Sequence, residues 1–213
     1  MTVVLLHALP LDERMWEPQR PVLPDAVTPR LYGRGRSMDS WAQSIAAEVE
    51  GELVLVGASM GGYCAFAVAR REPERVRALL LVGARPDPDP ADRRERRAAT
   101  IDLIRNEGPE ALWRDMVPKL FADPANADER LLYRDRDGLV AAVEAIRDRP
   151  DATDVARAYG DRARFVVGEY ENFVSPGELS EFDIRVVPGA GHLVNLERPV
   201  AFNAELEDFL AGV

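Results

Sequence analysis

Hydrophobic residues occur in short continuous runs separated by longer stretches with a helical period. The runs lie at Val3–Leu6, Leu53–Val56, Arg77–Val82, Arg164–Val167 and Ile184–Val187, with a weaker one at Val27–Leu31. Continuous apolar runs of this length are typical of strands that are covered on both faces, as in parallel sheets. Helical periodicity follows at about Ser40–Glu50, Tyr63–Arg71 and Pro199–Leu210. This alternation predicts an α/β fold with a doubly wound, mostly parallel sheet.

The segment from about 91 to 159 contains no strand pattern. It follows the proline-rich sequence 86–90, and its apolar residues recur at helical spacing. We therefore predict a single domain, 1–213, with a helical cap inserted at 91–159. An apolar stripe on such a cap either packs on the body or lines a pocket, and the predicted pocket residues are Trp113, Met116, Phe121 and Val143. The basic run 93–97 is interleaved with acidic residues, so we predict a solvated helix start without a binding role.

Composition limits the classes of partner. The chain has 213 residues, 46% of them hydrophobic, which suits one sizeable core. A formal net charge of −10 disfavours nucleic acid and anionic membrane surfaces. No apolar stretch approaches the length of a membrane span, and the single cysteine, Cys64, excludes an internal disulfide. We predict a cytoplasmic protein, a monomer or homodimer, that acts on a small-molecule substrate.

Neither a metal nor a cofactor is predicted. The two histidines, His7 and His192, have no second ligand at a helical i, i+4 spacing. Gly33 and Gly35 resemble the start of a dinucleotide fingerprint, but Met38 stands where its third glycine would be.

Ser59 lies between an apolar strand and a helix, with Gly57 and Gly61 two residues to either side. A G-x-S-x-G sequence in this context predicts a nucleophile elbow, a sharp turn that exposes the serine hydroxyl. The alternative is a serine that packs or caps a helix in a glycine-rich turn. A serine nucleophile also needs a base, and only His192 gives the chain order serine, acid, histidine. We expect Leu9, Ser59, Glu171 and His192 to share one sheet edge because each follows directly after a predicted strand.

Three stretches together resemble the α/β-hydrolase superfamily, specifically its small, capped, esterase-, lactonase- and haloperoxidase-like members. They are His7-Ala8-Leu9-Pro10, Gly57-Ala58-Ser59-Met60-Gly61-Gly62, and the segment from Gly189-Ala190-Gly191-His192 to Arg198-Pro199. The resemblance covers nearly the whole chain and implies a cofactor-free enzyme. It implies that Ser59 is the nucleophile, that His192 is the base, and that the amides of Leu9 and Met60 form an oxyanion hole.

The chain departs from the family pattern at two positions. Ala8 stands where such families usually have glycine, and Glu171 stands where the triad aspartate is usual. Glutamate occurs in some members, so Glu171 is the predicted acid. Asp87, beyond the middle strand, remains the alternative acid.

The favoured function is a serine hydrolase that cleaves an ester, thioester or lactone bond of a small, largely apolar substrate through an acyl-enzyme. Two alternatives stay open at this point. One is a non-catalytic ligand-binding or sensor protein on the same fold, and the other is a carbon–carbon bond hydrolase or lyase that uses the same triad.

Overall fold

A five-stranded parallel sheet forms the centre of the molecule, as a computed structural model that describes residues 1–213 shows. Its strands are β1 (Thr2–Leu6), β2 (Leu53–Ala58), β3 (Val76–Val82), β4 (Ala163–Gly168) and β5 (Asp183–Val187), paired in that order. Side chains of β2 are buried on both faces, as its unbroken apolar sequence predicts, whereas β5 is an edge strand with exposed positions. The predicted α/β fold class is confirmed.

The strand predicted at Val27–Leu31 is wrong. Only Val27 pairs with the sheet: its N–H donates to Val3, and its carbonyl accepts from Leu5 at 2.8 Å. Pro29 has no N–H with which to continue the ladder, so the pairing ends there. The chain nevertheless passes along the outer side of β1 at this point, before it returns to form β2 on the other side.

Eight α-helices complete the fold. They are α1 (Met38–Glu48), α2 (Met60–Arg71), α3 (Ala91–Glu107), α4 (Pro109–Leu120), α5 (Arg136–Arg147), α6 (Thr153–Tyr159), α7 (Val194–Glu197) and α8 (Pro199–Ala211). Ser37 caps α1, because its side chain accepts from the Ser40 amide. None of these helices is both long enough and apolar enough to span a bilayer.

The segment 91–159 is helical, but its last helix belongs to the body. Helices α3, α4 and α5, which we call the inserted helices, lie between β3 and β4 in the sequence, and α3 packs on both α4 and α5. By contrast, α6 packs on α2, and the hydroxyl of Tyr159 donates to the Val76 carbonyl at 3.2 Å. The separate helical layer therefore ends near residue 149.

Candidate active site

Ser59 sits at a strained turn between β2 and α2. Its backbone has φ 49° and ψ −110°, and it is the only non-glycine residue in the chain with positive φ. The turn packs tightly, since a Cβ on Gly61 would lie 2.0 Å from the Leu6 carbonyl oxygen, and one on Gly57 would lie 2.5 Å from that of Gly61. Only glycine fits both positions, which explains the G-x-S-x-G spacing.

His192 and Glu171 form a buried hydrogen-bonded pair. The Nδ1 atom of His192 lies 2.8 Å from each carboxylate oxygen of Glu171, and the two side chains are only 2% and 1% exposed. Burial acts to raise the pKa of Glu171, but the charge of His192 and its hydrogen bond outweigh burial and lower the pKa below its usual value. An ionised carboxylate only accepts hydrogen bonds, so the pair places the ring proton on Nδ1 and leaves Nε2 free to accept.

Of the two candidate acids, the structure brings only Glu171 to His192. A second contact fixes the glutamate, because its Oε1 accepts from the Phe173 amide at 2.8 Å. Asp87 instead forms an ion pair with Arg85 and is partly exposed. The segment after Glu171 contains a short 3₁₀ helix, Pro176–Leu179.

Gly83, directly after β3, packs closely against this pair of side chains. Its φ is +57°, and a Cβ there would lie 2.7 Å from His192 Nδ1 and 3.1 Å from Glu171 Oε2. Displacement of a catalytic group by about 1 Å costs on the order of 10²-fold in rate. We therefore expect Gly83→Ala to lower kcat/KM for ester hydrolysis by about 10²-fold, measured beside a thermal melt.

Gly160→Ala is the matched control for that variant. Gly160 has nearly the same φ, +51°, but a Cβ there meets no atom within 4 Å. Both variants carry the strain of a left-handed alanine. Equal activity in the two would show that Gly83 is needed only for its backbone conformation.

Two free amides lie next to Ser59. Met60 is the first residue of α2, so no carbonyl within the helix can reach its N–H. The amide of Leu9, after β1, makes no hydrogen bond to the protein. Both residues are buried, and Leu9 lines the same cavity as Ser59. Paired amides of this kind suit an oxyanion, because backbone donors need no reorganisation when negative charge develops.

A small cavity of about 20 Å³ connects these groups. It is lined by Leu9, Ser59, Tyr63, Arg93, Arg97, Met116, Ile146, Phe173 and His192. No hydrogen bond joins the Ser59 hydroxyl to His192, and such bonds often tighten only when substrate binds. A second cavity of about 320 Å³ adjoins it and shares Leu9, Arg93, Arg97, Met116 and Phe173. A third, of about 360 Å³, lies between α1, α2 and residues 148–152 and contains neither Ser59 nor His192.

Of the four predicted pocket residues, one lines the cavities beside Ser59. Met116 lines both cavities beside Ser59, but Trp113, Phe121 and Val143 line neither and are buried in the core. Their apolar stripe holds the inserted helices to one another and to the body, which requires the same helical spacing as a pocket wall.

Arg93 and Arg97 were missed, because the basic run was predicted to be solvated. The two arginines lie four residues apart on α3 and therefore share one helix face, which faces the cavity. Arg94, on another face, is exposed, and Arg96 is exposed and lines only the second cavity. The i, i+4 spacing within the run was the available signal.

Glu197 is a second residue that sequence reasoning missed. Its buried carboxylate accepts hydrogen bonds from the amides of Gly191, Ala122 and Asp123, at 2.6, 3.1 and 3.2 Å. Gly191 precedes His192, whereas the other two follow α4. One carboxylate thus ties the histidine loop to the inserted helices.

His7, the other histidine, is built into the core. Its Nε2 accepts from the Leu31 amide at 2.9 Å, and its side chain is fully buried. Burial lowers the pKa of His7 from 6.5 to about 4, so the ring is neutral near pH 7.

Comparison with known proteins identifies the family of this chain. The profile of the Alpha/beta hydrolase family matches residues 3–205. A thermophilic esterase from Thermogutta terrifontis, solved with malate bound, superposes with a TM-score of 0.87 at 29% identity, over 100% of this chain and 90% of that one.

Two curated relatives add sequence similarity. The pimeloyl-[acyl-carrier protein] methyl ester esterase of Aromatoleum aromaticum is 34% identical over 93 residues, but the match spans only 39% of this chain and 37% of that esterase. The 2-succinyl-6-hydroxy-2,4-cyclohexadiene-1-carboxylate synthase of an Enterobacter species is 25% identical, and the match covers 98% of this chain and 91% of the synthase.

Proposed function

Because the chain belongs to the alpha/beta hydrolase family, we propose that it is a serine hydrolase that cleaves ester, thioester or lactone bonds of a small-molecule substrate through an acyl-enzyme. One observation carries the proposal: His192, hydrogen-bonded to the buried Glu171, lines the same cavity as Ser59. Two of the similar proteins are described as esterases, which supports ester cleavage.

In the proposed reaction, Ser59 Oγ attacks the substrate carbonyl carbon and gives its proton to Nε2 of His192. Glu171 stabilises the imidazolium that forms. The amides of Leu9 and Met60 donate to the oxyanion of the tetrahedral intermediate. His192 then protonates the leaving alcohol or thiol. A water molecule activated by the same ring releases the acid and restores Ser59.

We further propose that the inserted helices act as a cap. They contribute Arg93, Arg97, Met116 and Ile146 to the cavity that contains Ser59. A layer in this position excludes water from the reaction and supplies part of the substrate pocket.

Two alternatives carry less support. A non-catalytic sensor would need no base–acid pair, yet Glu171 reaches His192 with good hydrogen-bond geometry. A lyase that uses the same residues has one observation in its favour, the similarity to the Enterobacter synthase. Release of alcohol from simple esters would favour the hydrolase over both alternatives.

Labelling of Ser59 by a fluorophosphonate tests the proposal. We expect the labelling rate to rise when the pH is raised from about 5 to 8, because neutral imidazole is the form that takes the serine proton. His7 does not contribute to this rise, because burial lowers the pKa of His7 to about 4. The measurement is a time course of labelling at each pH, with the labelled peptide identified by mass spectrometry.

His192→Ala is the control and should label slowly, with no rise over this range. A wild-type rate that does not change with pH, or a label on another residue, would contradict the proposed base and nucleophile.

A further inference from the structure

The cavity next to Ser59 is strongly basic in a chain that is acidic overall. The chain has a formal net charge of −10. The charged residues that line the adjoining 320 Å³ cavity are nevertheless Arg93, Arg96, Arg97 and Lys119, against a single carboxylate, Asp115. Such a local excess of positive charge attracts anions.

Three of the four cations are already paired within the protein. Lys119 Nζ lies 2.7 Å from Asp115, and Arg96 lies 2.8 Å from Asp92. The Nε of Arg97 lies 3.0 Å from Asp89, a fully buried carboxylate that also binds Arg149. These contacts neutralise much of the charge of the three side chains and fix Arg97 in place.

Arg93 is different because it forms no ion pair. Its guanidinium makes one hydrogen bond, from Nη2 to the Phe173 carbonyl at 2.8 Å. The side chain is half-buried and lines both the cavity that holds Ser59 and the adjoining cavity. A guanidinium has five N–H donors, so most of its donors remain available to a ligand.

The Phe173 contact also orients Arg93. Phe173 packs against the ring of His192 at a centroid distance of 4.5 Å and donates its amide to Glu171. The arginine is therefore anchored to the same loop that positions the proposed base. A fixed guanidinium loses less side-chain entropy on binding than a mobile one, and its planar fork matches a carboxylate.

We propose that Arg93 binds a carboxylate carried by the substrate, so that the preferred esters are anionic, such as monoalkyl esters of short dicarboxylic acids. This inference rests on the proposed ester hydrolysis at Ser59. It replaces the largely apolar substrate predicted from the sequence, because three of the four predicted pocket side chains do not line the cavity.

The test compares monomethyl esters of succinate, glutarate and adipate with the corresponding dimethyl esters. For the wild type we expect a higher kcat/KM with at least one monomethyl ester than with its neutral partner. Arg93→Gln should lower the ratio of the two kcat/KM values by about 10- to 100-fold, the range for a hydrogen bond to a charged group. Arg93→Lys should retain part of the preference, since lysine keeps the positive charge but lacks the two parallel N–H donors of the guanidinium.

Arg94→Gln is the matched control. It removes one arginine from the next position of α3, where the side chain is exposed and pairs with Asp148 outside the cavity. Its ratio should equal that of the wild type. If Arg93→Gln lowers kcat/KM equally for both esters, Arg93 serves only to hold Phe173 in place, and the proposal is overturned.

Binding separates failure of this inference from failure of the proposed function. Glutarate itself has no ester bond, and its affinity for the wild-type protein can be measured by calorimetry at constant ionic strength. We expect binding that Arg93→Gln weakens at least tenfold and Arg94→Gln does not change. If glutarate binds with this pattern but no ester is hydrolysed, the anion site is supported and the hydrolase proposal is contradicted. If esters are hydrolysed but glutarate does not bind in this way, the hydrolase proposal is kept and the anion site is overturned.

Discussion

Ser59→Ala is expected to lower kcat for ester hydrolysis by about 10⁶-fold, the cost of removing the nucleophile in a serine hydrolase. The hydroxyl forms the covalent bond to the acyl group, and no other serine, threonine or cysteine side chain lines the small cavity. The fold should persist, because alanine keeps the same backbone and removes an oxygen that makes no hydrogen bond. Steady-state hydrolysis and a thermal melt measure the two effects.

Ser180→Ala is the control, because Ser180 is exposed and lines neither cavity beside Ser59. Its kcat should equal that of the wild type. The wild type should also release alcohol in a burst equal to the enzyme concentration whenever the second step, deacylation, is slower than the first. If the Ser59 variant keeps activity within a few-fold of the wild type, the acyl-enzyme mechanism fails.

Glu171→Gln is expected to lower kcat by about 10⁴-fold, as removal of a triad carboxylate does. Glutamine has nearly the same volume, but it cannot stabilise the imidazolium, and its amide group favours the wrong tautomer of His192. The variant should keep most of its stability, so a melt close to that of the wild type separates a chemical loss from unfolding.

Asp87→Asn decides between the two candidate acids. Asp87 pairs with Arg85 and does not touch His192, so this variant should lose little activity. A large loss in Asp87→Asn alone would transfer the role of the acid to Asp87. No loss in either variant would leave a serine–histidine dyad.

Local sequence patterns were enough to predict the sheet and the elbow. Buried parallel strands are apolar throughout, and Gly57 and Gly61 are required by backbone atoms a few ångströms away, so both leave a signal in a short stretch. The strand predicted at Val27–Leu31 was wrong for an equally local reason, because Pro29, two residues after Val27, ends the pairing.

The wall of the site was harder to predict because it depends on how helices are placed. A stripe that packs against the body has the same period as one that faces a cavity, so sequence could not separate Val143 from Met116. Glu197 lies near His192 in sequence, but its importance depends on Ala122 and Asp123, which only tertiary structure brings near.

The Glu197 carboxylate couples the position of the proposed base to that of the inserted helices. The space beside Ser59 holds about one water molecule, so a shift of the inserted helices would be needed to enlarge it. Withdrawal of the chain after α4 would break the hydrogen bonds that Ala122 and Asp123 make to Glu197, which also holds Gly191 beside His192.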